Sequence, residues 1–194
     1  MISNSTFAVL LGGTLEIDDR VLEPEVWVGD FDSTPDGLSE FHAATPRMPF
    51  PAEKNFTDGE LAIEEAIERG ATRLVLIGSF GGERTDHSLS HLLLAVTLAE
   101  RGFEVVLTSG QEEAVPLLPG SQELELPAGS LFSVVAFTDL VGLSLTGARY
   151  PLDQADIAFG ASRTISNVAE GPVTASLGAG RALIIARPHD FSGA

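Results

Sequence analysis

Short apolar runs alternate with helix-spaced apolar residues over the first half of the chain. Phe7 to Leu11 (FAVLL) and Glu25 to Val28 (EVWV) read as short buried strands. Thr57-Asp58-Gly59-Glu60 has the form of a capping box, a Thr at the N-cap and a Glu three residues on. From there to Arg69 apolar residues recur at helical spacing (Ile63, Ala66, Ile67), and Gly70 supplies a stop. Thr72 to Ile77 reads as a strand. A second helix follows, with Leu89, Leu92, Leu93 and Val96 on one face and Gly102 closing it. Phe103 to Thr108 is the next strand. This order predicts a parallel sheet with right-handed helical crossovers.

Near Pro116 the texture changes. Only short strand candidates follow: Gln122 to Leu126, Leu131 to Phe137, Gly142 to Leu145, Val173 to Ser176 and Arg181 to Ala186. Turn residues separate them, among them Gly147, Gly160 and Gly171-Pro172. Short, evenly spaced strands predict an antiparallel sandwich or barrel. The expected layout is α/β followed by β: a Rossmann-like parallel domain over residues 1–116, and an antiparallel β domain over residues 117–194, divided where Pro116 to Gly120 interrupt the pattern.

Composition narrows the function classes. A 194-residue chain that is 44% hydrophobic has enough apolar residues for a core. The net charge is −17, from 28 acidic and 11 basic residues, which argues against nucleic acid and anionic membrane partners. Residues 1–116 carry most of that excess, and Lys54 is the only lysine. The absence of cysteine excludes disulfides, zinc–thiolate sites and a thiol nucleophile. The first residues have no basic n-region, and no apolar run approaches a membrane span. The expectation is a soluble cytoplasmic protein.

Three polar motifs follow strands or open helices, where open parallel sheets bind ligands. Gly29-Asp30-Phe31-Asp32-Ser33 sets two carboxylates one residue apart. They suit a hard cation such as Mg²⁺, and they also suit a polar turn. In Lys54-Asn55-Phe56-Thr57-Asp58, the lysine and the helix start suit a phosphate, while Asp58 alone suits the helix dipole. Gly78-Ser79-Phe80-Gly81-Gly82-Glu83-Arg84-Thr85-Asp86-His87 joins glycines to a bidentate phosphate donor. Asp86 there is placed to hold Arg84, cap the helix or touch substrate. His87 and His91 are one turn apart, but no third metal ligand stands beside them, so packing or a nucleotide contact is the better reading. Trp27 is expected in the core. Together the motifs describe phosphoryl or nucleotidyl transfer, with the substrate open.

In this order the motifs resemble those of the thiamine pyrophosphokinase family: the GDFDS loop, a K-D-x-T-D segment opening a helix, a Gly-Gly-Arg-x-Asp-His turn, and Ile165-Ser166-Asn167 before a strand pair. The stretch LSLTGARYPLD (143–153) is also similar to the family's thiamine-binding domain. The resemblance spans about residues 25–188. It implies transfer of pyrophosphate from ATP to the hydroxyethyl oxygen of thiamine, giving thiamine diphosphate and AMP, by a homodimer with its thiamine site between subunits. It implies that Asp30, Asp32 and Asp58 hold Mg²⁺ and the phosphates and form the catalytic set with Arg84 and Asp86. Lys54, Asn55, Thr57, Gly81, Gly82, Arg84 and His87 would bind ATP. Asp86, Ser166 and Asn167 would bind thiamine.

The chain departs from that pattern at three places. Position 55 is Asn where the family usually has Asp. Glu83 adds a residue before Arg84. Only about a dozen residues, Gly13 to Pro24, separate FAVLL from EVWV, which is hardly enough for a parallel crossover of roughly 10–12 residues or more. The family usually carries a further strand and helix there. Two other readings therefore stand beside the first: a pyrophosphokinase acting on another alcohol such as a hydroxymethyl pterin, and a catalytically degenerate thiamine binder.

Overall fold

The computed structural model describes residues 5–11, 16–17, 20–21, 24–29, 43–51, 56–81 and 84–192. The chain divides into two compact units, residues 1–78 and 79–194.

In the first unit β1 (Thr6–Leu10) pairs in parallel with β6 (Arg73–Ile77), in a register running from Thr6 opposite Arg73 to Leu10 opposite Ile77. β4 (Trp27–Gly29) and β5 (Arg47–Pro49) form a second parallel pair. Between β1 and β4 lies a small antiparallel hairpin, β2 (Glu16–Ile17) with β3 (Arg20–Val21). A hairpin needs far less chain than a helical crossover, which suits the short link noted in the sequence. Helix α1 (Asp58–Glu68) packs against β1 and β4 and buries Ile63 and Ala66. It opens on the expected capping box. The Thr57 hydroxyl accepts from Glu60 N at 3.2 Å, and Glu60 Oε2 accepts from Thr57 N at 2.7 Å. It ends where expected, with Gly70 at φ 94°.

The second unit opens on helix α2 (Thr85–Glu100). Its buried residues are Ala95, Val96 and Leu98, while Leu89 and Leu93 are about half exposed. The stripe expected at 89, 92, 93 and 96 is therefore rotated. The sequence is apolar around most of the helix, so periodicity does not single out the packed face, and α2 turns its small residue Ala95 inward against β7 (Glu104–Thr108) and β8 (Glu113–Leu117).

Antiparallel pairing runs β7–β8–β14–β10, where β14 is Ala182–Arg187 and β10 is Leu131–Ala136. β13 (Asn167–Leu177) meets β10 through two residues only, Asn167 opposite Phe132 and Val168 opposite Leu131. Its distal half pairs with β9 (Gly120–Leu124) on one side and β11 (Leu140–Ala148) on the other, and β11 carries β12 (Leu152–Ile157) at the edge. Leu117, Phe132, Val134 and Ile184 on one set of strands share a core with Leu143, Leu145, Ile157, Val173 and Ala175 on the other. The chain thus has parallel strand pairs first and a strand-rich antiparallel part second. Among the described residues no helix is long and apolar enough to cross a membrane.

Pro116 does not interrupt a strand, contrary to its reading from sequence. It sits inside β8 opposite Leu183 of β14. The β7 ladder covers only Glu113 and Ala114, so no rung on that side needs the N–H that proline lacks.

Candidate active site

Parallel pairing aligns the ends of β4 and β5. Trp27 lies opposite Arg47, Val28 opposite Met48 and Gly29 opposite Pro49. The chain therefore leaves both strands at one end, into the segment that begins with Asp30 and into the segment that leads to α1. Asp30, Asp32, Lys54, Asn55 and Gly82 themselves lie outside the described residues. Trp27 is half-buried, with the Arg47 guanidinium carbon 5.1 Å from its ring centroid, so it packs partly through a cation–π contact.

Thr57 and Asp58 stand at the N-terminus of α1. The capping box fixes that end, and Asp58 occupies the first helical position, half-buried. A carboxylate there is favoured by the helix dipole.

The third motif enters α2. Gly81 is exposed at φ 87°. Arg84 and Asp86 form a bidentate pair, Nε to Oδ1 at 2.9 Å and Nη2 to Oδ2 at 2.7 Å. Of the three roles open to Asp86 in the sequence, the structure shows it holding Arg84. The guanidinium keeps the Asp86 carboxyl well below the usual aspartate range and raises the Arg84 pKa in turn. Both side chains remain about two-thirds exposed. The pair is therefore ready-made but exchangeable, and its Nη1 takes no part. Arg84 is also the N-cap of α2, and its guanidinium, which carries donors only, makes no side-chain cap bond.

His87 is exposed and meets His91 edge-on, with ring centroids 6.3 Å apart. His91 Nδ1 lies 2.9 Å from the Ser79 carbonyl oxygen. A carbonyl only accepts, so Nδ1 carries the hydrogen. Among the described residues no three His, Asp or Glu side chains gather as a metal cluster.

Ser166 and Asn167 fall at the start of β13, and they differ sharply. Ser166 is exposed. Asn167 is buried, and its amide serves the chain itself: Oδ1 accepts from Tyr150 N at 3.1 Å and from Val168 N at 2.9 Å, while Nδ2 donates to Tyr150 O at 2.9 Å. It clamps the β11–β12 turn, in which Tyr150 is 63% exposed. The ARYPLD stretch and Asn167 carry no mark of this coupling in the sequence beyond the coincidence of two motifs far apart in the chain, which pattern alone does not pair.

The chain matches the thiamin pyrophosphokinase catalytic domain over residues 2–107 and the thiamin pyrophosphokinase vitamin B1 binding domain over residues 121–180. It belongs to the thiamin pyrophosphokinase family. It is 31% identical to the thiamine pyrophosphokinase of Bacillus subtilis over 159 residues, which are 80% of this chain and 74% of that protein. The solved structure of the Bacillus subtilis thiamine pyrophosphokinase superposes with a TM-score of 0.76 at 28% identity, covering 86% of this chain and 80% of that one. A thiamin pyrophosphokinase family protein of Enterococcus faecalis gives 0.73 at 28% identity, with 87% and 82% covered. The Candida albicans enzyme shares the fold at 11% identity, with a TM-score of 0.72 and 86% and 74% covered. Catalytic and vitamin-binding parts are thus both present, as a pyrophosphate-transferring enzyme with thiamine as its substrate requires. A pterin acceptor and a non-catalytic binder gain no support from any of these relatives.

Proposed function

We propose that this thiamin pyrophosphokinase family member takes its pyrophosphoryl group from ATP. The thiamine hydroxyethyl oxygen attacks the β-phosphorus, the bond to the α-phosphate bridging oxygen breaks, and AMP leaves with thiamine diphosphate as the product. The observation that carries this reading is the parallel register of β4 and β5, which sends two carboxylate-bearing segments off one end of a strand pair. We propose Asp30, Asp32 and Asp58 as the Mg²⁺ ligands. The all-oxygen donor set fits a hard cation, and α1, which carries Asp58, packs on β4, which ends one residue before Asp30. Mg²⁺, when bound, offsets phosphate charge.

The chain's own groups supply the rest. Lys54, Asn55, Thr57, Gly81, Gly82 and His87 bind ATP, and Arg84 adds bidentate donation to a phosphate. Asp86 orients Arg84 and faces thiamine together with Ser166, while Asn167 acts through the turn it clamps. The hydroxyl has a pKa far above 7, so Asp32 takes its proton late and positioning supplies most of the rate. The same reading includes a Rossmann-like nucleotide domain over residues 1–116, a β-sandwich over residues 117–194, a cytoplasmic location, and a homodimer sharing the thiamine site. One family match ends at residue 107 and the other begins at residue 121, which supports a two-part chain, although β8 (Glu113–Leu117) runs across the 116/117 boundary.

The test is incubation with ATP, Mg²⁺ and thiamine, with nucleotides and thiamine esters resolved by chromatography. AMP and thiamine diphosphate in equal amounts support the reading. ADP with thiamine monophosphate, or thiamine binding in calorimetry without product, overturns it.

A further inference from the structure

We propose that Ser133, in the middle of β10, is a positioning residue for thiamine binding, acting through the backbone of Ser166. The proposal rests on reading Ser166 as a thiamine contact.

Among the described residues only Gln154 and Ser166 combine a side chain with a positive φ, and Ser166 stands at 60°. Gln154 sits at an irregularity of the edge strand β12, where Ser144 takes its N–H. Ser166 is different because it interrupts a ladder. β10 and β13 pair as Leu131 with Val168 and Phe132 with Asn167. The next rung would set Ser133 against Ser166. There the chain turns left-handed instead, and the Ser133 hydroxyl accepts the Ser166 N–H at 3.0 Å.

The flanking groups hold the same departure. Val134 N donates to the Thr164 carbonyl at 2.9 Å, and the buried Thr164 hydroxyl donates to Val134 O at 2.7 Å. Val134 N–H, Val134 C=O and Ser166 N–H thus have partners outside the regular ladder, while Ile165 and Ser166 stay exposed. A non-glycine residue kept left-handed needs surroundings that over-determine it. The kink decides where the Ser166 hydroxyl points, because one more extended residue would send it to the opposite face of the strand. Without the Ser133 acceptor, Ser166 is free to extend and resume the ladder.

The test compares Ser133→Ala and Ser133→Thr with the wild type, by thiamine calorimetry and by steady-state kinetics. Removing one hydrogen bond should weaken thiamine binding and raise its KM by about tenfold, or about 1.4 kcal/mol. KM for ATP should stay within about twofold, a split that general destabilisation does not produce. Ser133→Thr keeps the oxygen and should restore thiamine KM. A second readout is the Ser166 backbone conformation from its Cα and Cβ chemical shifts, which should move to extended values in Ser133→Ala alone. Equal thiamine affinity in wild type and Ser133→Ala overturns the proposal and leaves the functional reading intact. A wild type that binds no thiamine overturns both.

Discussion

Truncating Asn167 separates two roles that a motif residue can play. Its amide makes three hydrogen bonds, two with the Tyr150 backbone and one with Val168 N, from a side chain only 5% exposed. A typical protein hydrogen bond is worth about 1 kcal/mol net, and an orphaned buried donor costs about 1–3. Val168 is buried and Tyr150 lies at the surface, so the Tyr150 groups regain water while Val168 N–H does not. Asn167→Ala should therefore cost about 3 kcal/mol, or roughly 6–12 °C of Tm for a chain of this size. Asn167→Asp keeps both accepting bonds, loses the donation and sets a carboxylate against the Tyr150 carbonyl, so its loss should be intermediate. Urea unfolding followed by far-UV circular dichroism measures both. A loss below about 1 kcal/mol in Asn167→Ala, with thiamine binding still impaired, would refute the clamp and return Asn167 to direct ligand contact.

Four further outcomes are expected. Thr57→Ala should cost about 1 kcal/mol and Thr57→Ser almost nothing, by the same unfolding assay, because the serine hydroxyl can still accept from Glu60 N. Asp86 has a folded pKa below its unfolded one, so its contribution is complete above about pH 3.9 and is lost only as pH falls through the lower folded value. Its ¹³C carboxyl shift should be flat at pH 4 and above, and Arg84→Gln should bring the midpoint back to the ordinary range. A wild-type midpoint at or above about 3.9 would contradict the ion pair. Asp32→Asn and Asp58→Asn should each lower kcat by at least about a hundredfold with circular dichroism unchanged, and near-normal turnover removes that residue from the catalytic set. Gly147→Ala should cost about 3 kcal/mol or more, because a Cβ there meets the Pro172 carbonyl oxygen well inside van der Waals contact at a φ of 71°. A thermal melt within a few degrees of wild type counts against that geometry.

Local chemistry was the legible part of the sequence. The capping box at Thr57 and Glu60 and the positive-φ stops at Gly70 and Gly102 each depend on a few consecutive residues, and they appear in the structure as read. The apolar runs of β1, β6, β7, β10 and β14 were equally plain. β12 was hidden because LDQADI lies at a sheet edge, with only Ile157 fully buried, so it lacks an apolar signature. The α2 face was misread because Leu89 and Leu93 are as apolar as the residues that pack. At the candidate site the residue types pointed to phosphate chemistry, but partnerships such as Arg84 with Asp86 or Asn167 with Tyr150 depend on how the chain closes in space.

β13 shows how far that closure governs the site. Gly171-Pro172 reads as a turn, yet the strand continues through it. Its register with β11 jumps from Thr174 opposite Thr146 to Ala169 opposite Ala148, so Pro172 falls in the jump and breaks no rung. The irregularity divides β13 into a start that meets β10 and an end that meets β9 and β11. One strand thereby serves two sets of partners, and its apolar residues from Ala169 to Leu177 join both to a common core. The start of β13 is then anchored by burial of Asn167 and Val168, and Ser166 is the first residue beyond that anchor. The exposed serine owes its place to the packing of the strand behind it. Substitutions at Gly147 or Asn167, neither of which needs to touch substrate, should therefore alter thiamine binding as well as stability.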